Sequence, residues 1–85
     1  MLAGAPPQVT LYLSEGCHLC ERAREIVVRL RDEYGFSYTE VDITGDPALE
    51  SVYREWLPVV EVDGARVSVY HLDEAALRRR VGVTS

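Results

Sequence analysis

Residues 13 to 22, LSEGCHLCER, join two different periodicities, and no other part of the chain constrains the fold as strongly. From Gln8 to Leu13 the pattern alternates, with Val9, Leu11 and Leu13 on one side and Thr10 and Tyr12 on the other. That is the period of a half-buried strand. Ser14-Glu15-Gly16 breaks it, and from Cys17 the apolar residues fall at Cys20, Ala23, Ile26, Val27 and Leu30. Spacings of three and four mark one face of a helix, and Gly35 can take the left-handed conformation that closes it.

A second strand is expected over Phe36 to Ile43, with a slip of its alternation near Thr39 and Glu40. Asp46-Pro47 then opens a helix, aspartate as cap and proline at its first position, running to about Glu55. Leu57-Pro58-Val59-Val60-Glu61-Val62 reads as a strand led by proline. Asp63-Gly64 is a two-residue hairpin turn, so Arg66 to Tyr70 is the antiparallel partner. A last helix follows from Leu72 to Val81, capped by Asp73 and with Gly82 past its end. The order is β-α-β-α-β-β-α. Two strands joined by a helix lie parallel and two joined by a tight turn lie antiparallel. The expectation is an α/β domain, a four-stranded mixed sheet with three flanking helices, over residues 8–85 after a flexible lead of residues 1–7.

With 85 residues the chain has room for one domain and one principal site. Its formal net charge is −5, and its nine basic residues are all arginine. An acidic surface repels phosphate backbones, so nucleic acid is not an expected partner. The run Arg78-Arg79-Arg80 falls where a helix C-terminus favours cations. No apolar run approaches the roughly 20 residues that span a bilayer. The opening MLAGAPPQ lacks the basic and apolar regions of a signal peptide, so a cytoplasmic protein with no membrane partner is expected.

In a reducing compartment two cysteines seldom form a permanent staple. Cys17 and Cys20 stand one helical turn apart, with Cβ atoms about 5–6 Å from each other, so their sulfurs can bond or separate without refolding the chain. Cys17 falls at a helix N-terminus, where free N–H groups and the dipole favour a thiolate. Cys20, on the apolar face, suits a resolving thiol. His18 between them would favour the thiolate when cationic and could pass a proton when neutral. Glu15 and Glu21 act in the opposite sense. The pair therefore reads first as a redox couple that passes electrons to a protein or small-molecule disulfide and is recharged by an upstream reductant.

Two rival readings stay open: an inert pair of small residues, or ligands of a metal. A structural zinc needs four ligands, and His18 and His71 are the only histidines, so no metal is assigned to the single chain. A dimer donating both cysteines from each copy could hold zinc or an iron–sulfur cluster. A monomer is the expected state for the redox reading.

Cys17-His18-Leu19-Cys20 after a strand, together with Leu57-Pro58-Val59 and Asp63-Gly64, resembles the glutaredoxin-like branch of the thioredoxin superfamily, most closely its small bacterial proteins with "GCHLC". The resemblance covers about Gln8 to Val81 and implies a thioredoxin-like fold. It also implies thiol–disulfide oxidoreductase activity, with Cys17 attacking and Cys20 resolving. By the same resemblance Pro58 is cis beside the cysteines, and Leu57 offers its backbone to an extended substrate. Trp56 and Tyr53 would form an apolar platform at the rim, although a tryptophan also reads as core on size alone. No tightly bound cofactor is implied. Glutathione is the co-substrate the family suggests, and Asp73 matches the acid that caps the final helix in its binding site. Departures from the family pattern are His18 where proline is usual, Ser14 where lysine is common, and Ser68 and Val69 in place of a glycine pair.

Overall fold

The computed structural model describes residues 6–82. Four strands and three helices follow the expected order: β1 (Gln8–Leu13), α1 (His18–Tyr34), β2 (Ser37–Asp42), α2 (Pro47–Tyr53), β3 (Val59–Val62), β4 (Ala65–Val69) and α3 (Glu74–Gly82). A short 3-10 turn, Arg54–Trp56, finishes the second helix, whose α-helical part stops two residues before the expected end. The sheet is mixed, in the order β2-β1-β3-β4. Residues 1–5 of the expected lead, and residues 83–85, lie outside the described residues. The Pro7 carbonyl, just before β1, accepts a hydrogen bond from Ser37 N at 3.0 Å.

β1 is central because it can be covered on both faces. Val9, Leu11 and Leu13 are buried and face α1, whose own buried residues are Cys20, Ala23, Val27 and Leu30. Val60 and Val62 of β3 and Leu77 and Val81 of α3 complete this core. Each such aliphatic side chain contributes about 1.5–3 kcal/mol on burial. α1 ends at Gly35, held at φ 80, whose N–H bonds to Arg31 O at 2.7 Å.

β1 pairs in parallel with β2 from Gln8↔Ser37 to Leu13↔Asp42 without interruption. The slip of alternation at Thr39 and Glu40 is therefore not a bulge. β2 is an edge strand covered lightly on both faces: Tyr38 belongs to the α1 side with Val9, and Val41 to the opposite side with Tyr12. The bulge lies instead in β4. Val60 pairs with Ser68 and Glu61 with Arg66, leaving Val67 as the extra residue.

The hairpin turn forms as expected, with Asp63 at φ 52 and Gly64 at φ 84, both positive as a two-residue turn of this kind requires. Asp63 also accepts from Gln8 N through its carboxylate at 2.9 Å, fastening the turn to the start of β1. At α2, Asp46 Oδ1 accepts from Leu49 N at 3.1 Å, with Pro47 at the first helical position. Gly82 is the last residue of α3 rather than the residue beyond it. A Cβ there would come 3.2 Å from the Tyr34 ring, which would have to shift slightly to admit a side chain.

Candidate functional site

β1 delivers the chain to a loop, Ser14-Glu15-Gly16, at the edge of the core. Two contacts hold it: Ile43 N donates to Leu13 O at 2.9 Å, and Glu15 N donates to Thr44 Oγ1 at 3.0 Å. Gly16 turns at φ 74, where a side chain is disfavoured by conformation although there is open space for one. Cys17 follows as the N-cap of α1, in extended conformation. Its Sγ accepts a hydrogen bond from Cys20 N at 3.2 Å, and its carbonyl accepts from Glu21 N at 3.2 Å.

The two cysteines are joined as a disulfide with their Cα atoms 5.1 Å apart. They differ in exposure. Cys20 is 2% exposed and part of the core, whereas Cys17 is half-buried and rests on that core from outside. A helix N-terminus presents unpaired N–H groups, so a negative sulfur at Cys17 is favoured there. His18 and Leu19, between the cysteines, are both exposed.

A depression of about 150 Å³ opens beside the pair, floored by Leu13 and Cys20 and walled by Glu15, Glu21, Asp42 and Arg24. Backbone hydrogen bonding from Thr44 holds the Asp42 carboxyl below its usual range, so Asp42 is anionic at neutral pH. Arg24 donates from Nε to Glu40 at 2.8 Å and also helps hold the Asp42 carboxyl down. Local carboxylates thus oppose the helix dipole at Cys17, as the acidic neighbours in the sequence suggested.

The Leu57–Pro58 bond is cis, Pro58 is buried, and Leu57 packs on the same core cluster as Cys17. Trp56, the residue before them, is 41% exposed and is not a core residue. Its ring lies 5.8 Å from that of Tyr70, tilted by 41°, and Tyr70 N donates to Trp56 O at 3.2 Å. Tyr53 does not share that surface. It stacks on Tyr12 with centroids 3.9 Å apart, and both hydroxyls donate to Glu61 at 3.3–3.4 Å. Trp56 thus pairs with Tyr70, and Tyr53 with Tyr12, rather than Trp56 with Tyr53.

Asp73 caps α3, its Oδ1 accepting from Ala76 N at 3.0 Å. Ser68 and Val69 are strand residues of β4, and the Ser68 hydroxyl is buried without a partner. No group of three His, Cys, Asp or Glu side chains gathers in metal-binding proximity among the described residues. A metal held through Cys17 and Cys20 would have to draw its remaining ligands from outside the described residues.

Sequence reasoning missed Tyr70 and Asp42. The pattern puts Tyr70 at the end of a strand, yet it stands at φ 64, an uncommon conformation for a bulky residue. Nothing in the sequence signals it. Asp42 carries a signal in hindsight, since a parallel strand of equal length brings its end level with Leu13.

No helix among the described residues is long and apolar enough to cross a membrane. The family profile described as "Glutaredoxin-like domain (DUF836)" matches residues 8–82. An uncharacterized protein of Mycobacterium tuberculosis, Rv0508, is 38% identical over 77 residues, 85% of this chain and 79% of that protein. The solution structure of protein Ne2328 from Nitrosomonas europaea superposes with a TM-score of 0.78 at 25% identity, covering 92% of this chain and 94% of that one. A thioredoxin variant from Halobacterium salinarum superposes at 0.69, with 20% identity over 98% of this chain and 79% of its own, and shares the fold. With its CxxC pair at the start of α1 and its thioredoxin-like sheet, the chain belongs to the glutaredoxin-like domain family.

Proposed function

We propose that the protein is a dithiol–disulfide oxidoreductase in which Cys17 is the nucleophile and Cys20 the resolving thiol. The observation that carries this reading is the asymmetry of the bonded pair: a half-buried sulfur at the helix end and a core sulfur one turn behind it. The Cys17 thiolate attacks one sulfur of a substrate disulfide, forming a mixed disulfide and releasing the other sulfur as a thiolate. Cys20 then loses its proton and attacks Cys17 Sγ. The mixed disulfide breaks, the second substrate thiolate leaves, and Cys17–Cys20 closes. Two electrons have passed to the substrate.

A thiol reductant returns the pair to the dithiol. Glutathione is the candidate supported by family membership and by Asp73 at the α3 cap. His18, exposed next to Cys17 in the chain, is the proposed proton donor to a leaving thiolate. The backbone of Leu57, before Pro58, is the proposed rest for an extended substrate, with Trp56 at its border.

The test is equilibration in graded glutathione redox buffers, with Cys17–Cys20 oxidation read by thiol trapping and mass spectrometry. A reversible intramolecular disulfide is expected. Cys17→Ser should abolish disulfide reduction, and Cys20→Ser should accumulate a mixed disulfide at Cys17. A pair that closes under no buffer, or full turnover of protein disulfides by Cys20→Ser, would overturn the proposal.

A further inference from the structure

Cys17 stands at the end of a three-residue loop, and what fixes that loop lies in a different connection of the fold. Ile43 N donates to Leu13 O at 2.9 Å, and beyond that bond the paths of β1 and β2 part. Thr44 carries the tie further. Its Oγ1 accepts from Glu15 N at 3.0 Å, two residues before the cysteine. Thr44 is itself held in a closed turn: its N–H donates to Asp42 Oδ1 at 2.9 Å, Asp46 N to Ile43 O at 3.0 Å, and Gly45 N to Glu50 Oε2 at 3.2 Å. A fixed hydroxyl in the β2–α2 connection thus anchors the backbone that leads into the thiol motif.

This anchor weighs differently on the two redox states. In the disulfide, the covalent bond to Cys20 already restrains Cys17. In the dithiol, Cys17 keeps only its loop and the hydrogen bond from Cys20 N to its sulfur, which is a stronger acceptor as a thiolate. That bond forms with Cys17 in the extended conformation of an N-cap, and a loop released from Thr44 lets Cys17 leave it. Loss of the anchor therefore costs the dithiol more than the disulfide. The equilibrium between them must shift by that difference.

We propose that Thr44 is a positioning residue for the nucleophile: by holding Glu15 N it keeps Cys17 where its thiolate accepts from Cys20 N, and so favours the dithiol over the disulfide. The proposal rests on the oxidoreductase reading and names a residue that tunes the same pair from outside the thiol motif.

The test is the equilibrium in which two glutathione thiols reduce Cys17–Cys20 and leave as one glutathione disulfide, two electrons and two protons passing to the protein. It is read by thiol trapping at mildly alkaline pH on the full chain, beside a titration of the Cys17 thiolate by absorbance. Thr44 is exposed, so Thr44→Val opens no gap in the core and removes only the acceptor. It should lower the equilibrium constant for reduction about threefold, the scale of one exposed hydrogen bond, and raise the Cys17 thiol pKa. Thr44→Ser, which keeps the hydroxyl, should restore both values. Asp46→Ala loosens the same connection at the α2 cap but leaves the bond to Glu15 in place, and should reproduce neither shift.

Glu15, Glu21, Arg24 and Asp42, which line the depression with Cys17, and the neighbouring His18 are present in every variant. A rise in thiol pKa with Thr44→Val therefore reads geometry rather than a lost charge. Unchanged values in Thr44→Val, no rescue by Thr44→Ser, or the same shifts in Asp46→Ala would overturn the proposal. The thiolate titration needs no disulfide, so it tests Thr44 even where the unaltered pair closes in no buffer and the oxidoreductase reading itself falls.

Discussion

On the α1 and α3 side of the sheet, buried aliphatic residues from two strands and two helices interlock, and polar groups stay at the margin. On the α2 side, coverage is thinner. α2 has no buried residue, and Tyr12 and Tyr53 stack over the sheet with their hydroxyls on Glu61. The difference teaches where the domain keeps its stability and where it can give way. Cys20 is embedded in the first face, so the cysteine pair is anchored to the more heavily packed side of the sheet.

The sharpest way to break this comparison is to remove equivalent bulk from each face. Leu11→Ala, at a fully buried position on the α1 side, should cost about 2–5 kcal/mol. Tyr53→Ala on the α2 side should cost about 1–2 kcal/mol, since the ring is half-exposed and the loss is mainly one aromatic pair. Urea denaturation measures both. Equal costs would abolish the distinction.

Asp46→Ala, which strips the α2 cap, should cost about 1 kcal/mol. Hydrogen exchange should show the loss confined to residues 46–56, with α1 protection unchanged. Spread of the effect into α1 would mean that the faces unfold as one unit.

pH should separate the faces more gently. Glu74 accepts from Arg29 at 2.9 Å and from Arg78 at 3.1 Å, which holds its carboxyl below the usual range and clasps α3 to α1. A folded value below the unfolded one means the contribution is complete above the unfolded pKa and fades as pH falls through the folded value. Glu74→Gln should therefore flatten the acid limb of stability against pH. The Tyr12 phenol is held well above its usual value by Tyr53, then by burial and by Glu61. Its contribution is complete below about 10 and is lost as pH rises beyond it. Tyr12→Phe should blunt the alkaline loss, and Tyr38→Phe is the control, because burial and Glu40 raise that phenol too, on the other face. An alkaline limb unchanged in Tyr12→Phe would show that the α2 face does not titrate in this way.

Local features were legible in the residues alone. The Gly35 closure, the Asp46 and Asp73 caps and the Asp63-Gly64 turn each depend on a few neighbouring atoms, and each stands where its residue types placed it. So did the Cys17 and Cys20 asymmetry, since the helical period alone turns Cys20 inward. What escaped depends on partners distant in sequence. The slip at Thr39 and Glu40 looked like a local irregularity and reflects instead a strand covered on both faces. Trp56 has the size of a core residue, but the 3-10 turn carries it outward to Tyr70. The bulge at Val67 and the left-handed Tyr70 have no signal in residue type at all.

Cys17 holds the end of α1 with its sulfur, accepting from Cys20 N in a role usually filled by serine, threonine, aspartate or asparagine. Under the proposed function the position therefore serves both chemistry and architecture, and they ask for different atoms. An oxygen in place of the sulfur satisfies only the second, and satisfies it better. In the reduced protein, serine at this position should silence the reaction while leaving the helix at least as firmly begun as before, so inactivity there can be told apart from misfolding.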